Sequence, residues 1–495
     1  MGGDYTQQQS PPFFTEPNRI TPDQQQQAYS AVRGAFWNNS AAVNKSNLFR
    51  DTYRRRLAEI YGRSVPAGKR ILEIGCGEGD LISSLRPSFG LGVDISPLFV
   101  EKATKKYPNL RFEAGDANDL KVQGQFDFII CSDLLNELWD VQKFFERIAS
   151  NCQSDTRILI NNYSRLWEIP RKMAEALGLA SPQLTQNWLT VDDTRSLLSL
   201  AGLELIRTSS EVMCPAPIPL CAGFLNRFLV KLWPFKHLGL TNFLVARPES
   251  KPYVTPEPIV TVVVAARNEA GNIAAILDRV PKLGAGTDLV FVEGHSSDGT
   301  YEAIQREIAA RPGCQARVFQ QTGRGKGDAV RLGFKMAKGE LLMILDADLT
   351  VPPEDLIAFY NAWWSGKGDF INGVRLVYPM EEKAMRFFNL LGNKFFSIAF
   401  SWLLSQTVKD TLCGTKVLQR SHYELLAENR DYFGKIDPFG DFDLLFGAAR
   451  YNLKIIDLPI RYRERKYGET NIHRWSHGLL LLRMVMLAAR RIRFV

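Results

Sequence analysis

The chain has 495 residues, of which 45% are hydrophobic and 23% are charged. This length exceeds one ordinary core and predicts two or three domains, since a domain typically holds ~100–200 residues. The net charge of +8 favours anionic partners such as phosphates, nucleotides or a lipid surface, without choosing among them.

Cysteine spacing and hydropathy exclude several classes of protein. The seven cysteines are scattered without a C-x-x-C pair, which argues against a zinc site and predicts reduced thiols in a cytosolic compartment. The polar N-terminus carries no secretory signal pattern, and no run of ~18 apolar residues predicts a membrane-spanning helix. We therefore expect a cytoplasmic chain.

The first 44 residues form a leader rich in Gln, Pro, Ser and Asn, including "TQQQSPP" and "PDQQQQ". Such a composition buries too little apolar surface to order itself, so residues 1–44 are predicted to be disordered.

Residues 45–248 alternate strand-like runs with helical stretches. The strand-like runs are "RILEIG", "LGVDI", "FDFIICS", "RILINN" and "TNFLVAR". This alternation predicts an α/β domain with a parallel sheet. It ends in "RPESKPYVTPEP", whose four prolines in twelve residues predict a semi-rigid linker at 249–258.

The alternation restarts at residue 259 and continues to about residue 470. Its strand-like runs are "IVTVVVAARNE", "DLVFVEG", "ELLMILDAD", "GDFINGVR" and "KIIDLPIRYR". The sequence thus predicts two α/β domains in series, followed by a basic amphipathic helix at 471–495.

The first domain carries the motif "ILEIGCGEGDL", a strand followed by a glycine turn and the start of a helix. Gly75, Gly77 and Gly79 let the backbone turn sharply and approach a ligand without Cβ clashes. Glu73 ends the strand before the turn. A glycine turn alone is weak evidence, because dinucleotide-binding folds use a similar one.

Two acidic strand ends sharpen this motif. Asp94 follows Glu73 by 21 residues in "LGVDIS", where a carboxylate can bind the two hydroxyls of a ribose. Asp116 in "EAGDANDL" ends a third strand and suits the exocyclic amine of adenine. The alternative is a plain Rossmann-like turn or an NAD site, and the position of the acidic "GDA" element argues against NAD.

These motifs resemble class I S-adenosylmethionine-dependent methyltransferases over residues 45–248. The resemblance implies a Rossmann-like fold, with Glu73 and the three glycines facing the methionine part of the cofactor. It also implies that Asp94 faces the ribose and that Asp116 with Ala117 faces the adenine.

The methylated atom and its acceptor are not readable from the motifs. Asp133, Asn136 and Glu137 follow the fourth strand and either lie near the sulfonium or cap a helix. The proline-interrupted apolar stretch at 213–235 is either a lid over the substrate or a hairpin packed on the second domain.

In the second domain, polar residues end several predicted strands in turn. Arg267 and Glu269 follow the first strand, and Glu293 ends the second. Lys326 lies between two glycines in "GRGKGD", which predicts a flexible cationic loop suited to a diphosphate.

The motif "LLMILDADLT" ends a buried strand on Asp346 and Asp348. Carboxylates at i and i+2 of a strand point the same way and repel each other unless a hard cation or a proton intervenes. A divalent ion bridging them to a nucleotide diphosphate resolves this repulsion. The alternative is a solvated turn or a helix cap before "PPEDL".

Residues 259–470 resemble family 2 glycosyltransferases of the GT-A fold, in particular polyprenyl- and dolichyl-phosphate sugar synthases. The resemblance implies that Asp346 and Asp348 hold Mg²⁺ or Mn²⁺ and that Arg375 in "NGVR" is catalytic. It implies a nucleotide-sugar donor and a lipid-phosphate or glycan acceptor. The implied donor-site residues are Ala266, Arg267, Glu269, Glu293, Lys326 and Asp346.

Two further motifs match this family with substitutions. "DTLCGTK" places Lys416 where the family has arginine, and "RKYGETN" supplies Arg465 but ends on Asn471 instead of lysine. Lys416 and Arg465 are the implied acceptor-binding cations. A hydroxyl acceptor would also need a general base, for which Asp441 and Asp443 are the candidates.

Two apolar helices raise the question of a membrane. Residues 385–405 are predicted to form a helix with one narrow polar stripe and an otherwise apolar surface. The C-terminal residues carry three arginines beside an apolar run. Both patterns suit peripheral contact with the cytosolic face of a membrane, or a pair of helices packed on each other or on a second copy.

The favoured function is a bifunctional transferase that joins sugar transfer to S-adenosylmethionine-dependent methyl transfer. One alternative is a glycosyltransferase whose first domain binds the cofactor only as a scaffold or regulator. A nucleic-acid methyltransferase is disfavoured, because the positive charge concentrates in the C-terminal tail, so no nucleic-acid partner is expected. The motifs do not fix the oligomeric state.

Overall fold

The structure is a computed structural model. It describes residues 21–43, 48–177, 183–218, 220–249, 256–375, 377, 387–428, 430, 440–465, 467 and 474–494. The chain divides into two compact units, Met1–Glu249 and Ser250–Val495, called here the N-terminal unit and the C-terminal unit. Residues 250–255 of the predicted linker lie outside the described residues.

The N-terminal unit is built on a seven-stranded sheet with the order β3-β2-β1-β4-β5-β7-β6. Its strands are β1 Arg70–Ile74, β2 Phe89–Asp94, β3 Arg111–Ala114, β4 Phe128–Ser132, β5 Arg157–Tyr163, β6 Leu203–Ser210 and β7 Thr241–Pro248. Its helices are α1 Pro22–Ala42, α2 Leu48–Ser64, α3 Asp80–Ser84, α4 Pro97–Lys106, α5 Val141–Ala149, α6 Glu168–Ala176, α7 Val191–Leu200 and α8 Cys221–Arg227.

This sheet is mixed, whereas the sequence predicted a parallel one. Strand β7 runs antiparallel to both of its neighbours, β5 and β6. The reason is the connection through 211–240, which returns at the same edge of the sheet instead of crossing over it. A connection without a crossover joins antiparallel strands.

The predicted disorder of residues 1–44 is wrong for α1. Thr21 and Gln24 form a reciprocal capping box, and Pro22 occupies the first turn. These are strong start signals for a helix. Arg33 and Ala41 of this helix are buried, so tertiary contacts supply the stability that its polar composition lacks.

The C-terminal unit also has a seven-stranded mixed sheet, with the order β10-β9-β8-β11-β13-β12-β14. Its strands are β8 Ile259–Ala266, β9 Gly286–Glu293, β10 Ala316–Gln320, β11 Leu341–Asp346, β12 Phe370–Val374, β13 Lys416–Gln419 and β14 Ile455–Pro459. Its helices are α9 Ile273–Arg279, α10 Thr300–Ala309, α11 Lys326–Met336, α12 Leu356–Trp364, α13 Phe387–Leu404, α14 Arg420–Glu428, α15 Asp441–Arg450 and α16 Arg474–Ala488, with a π-helical turn at Ala489–Arg493.

Strand β11 lies at the centre of this sheet, between β8 and the antiparallel strand β13. Leu342 and Ile344 face one hydrophobic core, and Leu341, Met343 and Leu345 face the other. Burial on both faces explains the continuous apolar run in the sequence. It also delivers the following aspartates to the carboxyl edge of the sheet.

Helices α13 and α16 pack against each other, with the rings of Trp402 and Phe494 5.5 Å apart. The polar stripe of α13 faces protein, because Ser397 and Ser401 donate to the carbonyl of Val408. The two helices therefore pack on each other, and contact of their exposed side chains with a membrane stays a prediction. Among the described residues, no helix is long and apolar enough to cross a membrane.

Candidate functional site

The glycine turn after β1 has left-handed backbone angles at all three glycines, with φ of 80° at Gly75, 52° at Gly77 and 77° at Gly79. A Cβ at position 79 would lie 2.7 Å from the ring of Phe112. The amide of Gly77 donates to the Asp94 carboxylate at 2.8 Å. The turn therefore requires glycine and is fastened to the end of β2.

Glu73 is buried beneath this turn, and its Oε2 accepts from the amide of Ile82 at 3.0 Å. Burial raises the pKa of Glu73 to about 8. The carboxyl group therefore holds the start of α3, which is a supporting position beneath the turn. The direct contact with the methionine part of the cofactor stays a prediction.

The Asp94 carboxylate also accepts from the amide of Ser96 at 2.9 Å. Burial raises its pKa, although the amides of Ser96 and Gly77 act in the opposite direction. Within the part of the chain that the structure describes, its hydrogen-bond partners are thus neutral backbone donors, and no ion pair compensates the carboxylate.

Asp116 lies at the carboxyl edge after β3, where one oxygen accepts from the Asn118 amide at 2.8 Å. Its other oxygen accepts from the hydroxyl of Ser30 on α1. Ala117 is buried beside it. A cleft of about 290 Å³ opens at this position and is lined by Val93, Glu113, Ala114, Gly115, Asp116, Asp119, Leu120, Lys121 and Val122.

Helix α1 therefore covers the edge of the sheet that carries the predicted cofactor residues. Besides Ser30, Asn38 accepts from the Ser96 hydroxyl at 2.6 Å. Arg33 forms an ion pair with Glu137. Composition alone does not reveal this helix or its contacts. The capping pattern "TPDQ" is the sequence signal that identifies it.

Asp133 follows β4 with a φ of +51°, a strained angle for a residue with a side chain. Its Oδ1 accepts from the Tyr53 hydroxyl at 2.9 Å and from the Asn161 amide at 2.5 Å. Burial raises its pKa to about 7. Helix α5 is capped by Asp140, so the helix-cap alternative for Asp133 does not hold.

The other two residues of that predicted set are also held by tertiary contacts. Asn136 donates to the carbonyl of Asn187 at 2.6 Å. Glu137 accepts from Gln186 at 2.9 Å in addition to its pairing with Arg33. The three residues line the carboxyl edge beside the glycine turn, since a Cβ at Gly75 would lie 3.3 Å from Leu134.

In the C-terminal unit, Lys326 pairs with Asp346 across 2.5 Å between Nζ and Oδ1. The sequence predicted a flexible loop around Lys326, but this lysine is the first residue of α11. Gly325 takes a φ of 85°, which lets the chain enter the helix directly. Lys326 is thus presented on a rigid helix N-terminus, which itself favours anions.

Asp348 is neutralised by a different cation. Its Oδ2 accepts from Arg465 at 2.6 Å, and its Oδ1 accepts from the Thr350 hydroxyl at 2.7 Å. Arg465 also donates to Glu269 at 3.0 Å. The sequence assigned Arg465 to the acceptor, whereas in the structure it bridges two predicted donor-site carboxylates.

Pairing with a cation lowers the pKa of a carboxyl group and burial raises it, and the balance differs between Asp346 and Glu269. Burial would raise the pKa of Asp346, but the charge of Lys326 outweighs burial and holds it below its usual value. Burial raises the pKa of Glu269 to about 7, despite the nearby Arg465. Asp346 is therefore favoured in its ionised form, which a metal ligand would need.

The donor set fits a hard divalent ion. Asp346 and Asp348 offer carboxylate oxygens, and the described residues contain no group of three or more His, Cys, Asp or Glu that could hold a metal. Magnesium commonly uses only one or two carboxylates together with substrate phosphates. A side chain at Gly414 would collide with Lys326 and Asp346, so the backbone here leaves space only for glycine.

The two candidate bases, Asp441 and Asp443, lie in the first turn of α15 but have different surroundings. Asp443 pairs with Arg430 at 2.6 Å. Asp441 is buried, and its Oδ1 accepts no hydrogen bond from the part of the chain that the structure describes. A Cβ at Gly440 would lie 2.7 Å from Gly327, which places Asp441 beside the start of α11.

Arg375 and Lys416, to which the sequence assigned site roles, form hydrogen bonds with other residues of the protein. Arg375 binds Asp410 through Nε at 2.7 Å and NH2 at 2.9 Å. Lys416 is fully buried and donates to Asn372 at 2.9 Å and to the Cys413 carbonyl at 2.7 Å. A side chain so enclosed does not reach an acceptor, so the structure gives Lys416 a supporting role instead.

The remaining donor-site residues lie at the ends of β8 and β9. The carbonyl of Ala266 accepts from Gly294 at 2.9 Å, and Arg267 is exposed. Glu293 is buried and accepts from the amide of Ser296 at 2.5 Å. The parallel register aligns Ala266 with Glu293, so both meet at one edge of the sheet.

Comparisons with known proteins match a part of each unit. The profile for glycosyl transferase family 2 matches residues 261–424, and the profile for a methyltransferase domain matches residues 66–197. A dolichyl-phosphate hexose transferase of Haloferax volcanii is 31% identical over 218 residues, covering 44% of this chain and 88% of that protein. The chain belongs to glycosyltransferase family 2.

Other relatives of this family 2 glycosyltransferase match over a smaller part of their length. A dolichol-phosphate mannosyltransferase of Saccharomyces cerevisiae is 37% identical over 108 residues, which is 21% of this chain and 40% of the relative. An undecaprenyl-phosphate 4-deoxy-4-formamido-L-arabinose transferase of Aeromonas hydrophila is 31% identical over 230 residues, 45% of this chain and 64% of the relative. The chain thus spans less than two thirds of these two relatives.

The predicted fusion of two enzyme domains is confirmed by the two profiles. The N-terminal unit of this family 2 glycosyltransferase carries the methyltransferase domain, and the C-terminal unit carries the glycosyltransferase domain. The predicted fold class, two α/β domains of these types, is confirmed as well.

We predict that Glu73→Gln flattens the pH dependence of stability in the N-terminal unit. Glutamate has an ordinary pKa near ~4.3, so between that value and about 8 the folded state retains a proton that the unfolded state has lost. Stability is therefore fully present below the lower value and declines as pH rises through the higher one. The glutamine variant cannot ionise and should lose this decline.

The measurement is the unfolding midpoint of the N-terminal unit between pH 5 and pH 8. Glu146→Gln, an exposed change on α5, is the matched control and should keep the wild-type slope. Equal slopes for all three proteins would contradict a protonated Glu73.

We also predict that Asp410→Asn destabilises the C-terminal unit by about 3–5 kcal/mol, because it leaves the buried Arg375 without its charge partner. Chemical denaturation would measure this loss. Asp278→Asn removes an exposed pairing with Arg311 and should cost far less, because solvent screens an exposed ion pair. Similar costs for both variants would show that the Arg375 pair is not structural.

Proposed function

We propose that this chain transfers a sugar from a nucleotide-sugar donor to a lipid-phosphate acceptor. We further propose that its N-terminal unit transfers a methyl group from S-adenosylmethionine. The observation that best supports sugar transfer is the pair of aspartates at the end of β11, held by Lys326 and Arg465.

This arrangement suits a diphosphate because its cations already lie at the site. When a donor binds, its phosphates can replace the carboxylates as partners of Lys326 and Arg465. The first turn of α11 adds unpaired backbone amides that favour the same charge. Asp346 and Asp348 are then released to bind Mg²⁺ or Mn²⁺, which when bound neutralises the leaving diphosphate.

The acceptor class is proposed from the names of the relatives, which include dolichyl-phosphate and undecaprenyl-phosphate transferases. An acceptor phosphate is already anionic, so it can attack the anomeric carbon without a strong general base. The new carbon–oxygen bond forms as the bond to the nucleoside diphosphate breaks, with inversion at that carbon. A glycan hydroxyl would need a base, and Asp441 is better placed than Asp443.

The methyl-transfer proposal is supported by the glycine turn, Asp94 and Asp116, which lie along one edge of the sheet. The carboxylates of Asp94 and Asp116 contact neutral donors, so they can also accept hydrogen bonds from the ribose hydroxyls and from the adenine amine. The alternative, a unit that binds the cofactor without transferring the methyl group, makes the same binding contacts. Methyl transfer from labelled cofactor separates the two.

We place the chain at the cytosolic face of a membrane as a peripheral protein. Support comes from the exposed apolar side chains Phe395 and Ile398 on α13, and Leu482 and Met486 on α16. Arg490 is exposed beside them. This pattern suits an anionic lipid surface that carries the acceptor.

We predict that Asp348→Asn abolishes sugar transfer and leaves the N-terminal unit unaffected. Loss of even an outer partner of a metal costs ~10–100-fold, so loss of a direct ligand should cost ~100-fold or more. Two readouts are needed: transfer of labelled sugar to undecaprenyl phosphate with Mn²⁺, and the shift of the unfolding midpoint by S-adenosylmethionine.

Asp278→Asn serves as the control and should retain the wild-type transfer rate. Full transfer by Asp348→Asn would overturn the metal assignment. A cofactor-induced midpoint shift without methyl transfer to any lipid or glycan would instead favour the binding-only alternative for the N-terminal unit.

A further inference from the structure

Exposed apolar side chains concentrate on one part of the N-terminal unit. Within the described residues, twelve of the 27 exposed large apolar side chains belong to residues 165–177 and 213–239, called here the apolar face. These side chains are Leu166, Ile169, Met173, Leu177, Ile218, Leu220, Phe224, Phe228, Leu232, Trp233, Phe235 and Leu238. A soluble surface rarely gathers so much contiguous apolar area without a partner.

The two segments of the apolar face are joined to each other. The indole of Trp167 donates to the carbonyl of Leu238 at 3.1 Å. The amide of Ser164 donates to the carbonyl of Leu240 at 2.8 Å. The apolar side chains therefore share one surface and do not lie on two unrelated loops.

Within 213–239, two polar side chains are buried and several large apolar side chains are exposed, the reverse of the usual pattern. Asn226 is 7% exposed and binds the backbone of Met213 and Cys214, and Lys231 is 3% exposed and pairs with Glu211. Leu220 is 93% exposed, and Trp233 is 77% exposed. The buried polar groups thus hold the segment on the protein. Its apolar side chains point outward, an arrangement that favours contact with an apolar environment such as lipid.

The charge of this segment favours an anionic surface. Residues 213–239 contain no aspartate or glutamate. Arg227 and Lys236 are exposed next to the apolar side chains, and Arg165 is exposed on the adjoining segment. Cations beside tryptophan, phenylalanine and leucine match the boundary between anionic lipid headgroups and acyl chains.

The apolar face also adjoins the predicted cofactor site. Strand β5 ends at Tyr163 directly opposite Thr241, where β7 begins, so both segments leave the sheet at its carboxyl edge. The Tyr53 hydroxyl contacts both Asp133 and Thr241, at 2.9 Å and 3.2 Å. The carboxyl edge that carries the glycine turn is therefore bordered by apolar side chains.

We propose that the apolar face inserts into the headgroup–acyl boundary of an anionic lipid bilayer. The methyltransferase domain then meets an acceptor that is carried by that bilayer, a consequence that rests on the proposed methyl transfer. The membrane contact itself does not depend on either transferase activity.

Cys221 provides a reporter on this face, because it is the exposed cysteine at the start of α8, whereas Cys76, Cys131 and Cys413 are buried. The full chain, with the half-buried Cys152, Cys214 and Cys314 replaced by serine, would be labelled at Cys221 with an environment-sensitive fluorophore. It would then be mixed with phosphatidylcholine vesicles, with and without phosphatidylglycerol. We expect at least a ~2-fold rise in emission and a blue shift with the anionic vesicles.

The control probe lies in the same unit, between α5 and the amino end of β5. In a Cys221→Ser, Ser150→Cys chain the label lies at the end of α5, where residue 150 is exposed. Its emission should not respond to vesicles. An unresponsive probe at position 221 would overturn the proposal, whatever the bulk binding of the chain.

Substitutions then test the energetics in unlabelled protein. Leu220→Ser and Trp233→Ala should each reduce co-sedimentation with anionic vesicles by about tenfold or more, because each removes a side chain that the lipid would bury. Leu200→Ser, an exposed change on α7 outside the apolar face, should not reduce it. Both replaced positions are exposed, so folding should be preserved.

Other occupants of the apolar face predict different outcomes. A second copy of the chain would change the probe emission with protein concentration in the absence of lipid. The C-terminal unit would give a probe that is already shielded in the free chain. Either result would overturn the proposal, whereas a failure of methyl or sugar transfer alone would affect only the proposed activities.

Discussion

The neutralisation of two carboxylates at the carboxyl end of β11 is the constraint on which the glycosyltransferase domain depends. Asp346 and Asp348 end a strand that is buried on both faces, so their charges cannot be left without partners. Lys326 and Arg465 supply the compensating charges from α11 and from the segment after β14. Each of these cations suits a phosphate, so the cations that neutralise the two carboxylates would also hold the proposed donor.

In the N-terminal unit, the carboxyl groups of the predicted site have neutral hydrogen-bond donors as partners instead of cations. Asp94 and Glu73 accept from backbone amides, and Asp116 accepts from an amide and a hydroxyl. These donors carry no net charge, so no cation among the described residues is paired with these groups, and burial keeps Glu73 protonated by raising its pKa to about 8. Such a site suits a cationic ligand such as the proposed sulfonium cofactor, whereas the cation-rich site of the C-terminal unit suits an anionic diphosphate. The two units therefore differ in electrostatics as well as in fold.

Several sequence predictions failed where tertiary contacts decide the outcome. Composition predicted disorder for α1, but Arg33 and Ser30 fasten it over the edge of the sheet. The glycines around Lys326 indicated a loop, yet Gly325 is the residue before α11 and the helix begins at Lys326. Lys416 matched an acceptor-binding position in a motif, but a motif does not state whether its side chain is buried.

The sequence by itself determined the two α/β domains, the glycine turn, and the acidic strand ends. Hydrophobic periodicity and glycine placement are local properties, and short motifs carry them completely. The tertiary structure alone decided which cation lies beside which carboxylate: Asp443 pairs with Arg430, whereas Asp441 lies 3.9 Å from Lys416. It alone brought residues 165–177 and 213–239 onto one apolar face. Contacts between residues far apart in the chain depend on how the strands are ordered, and no local pattern specifies that order.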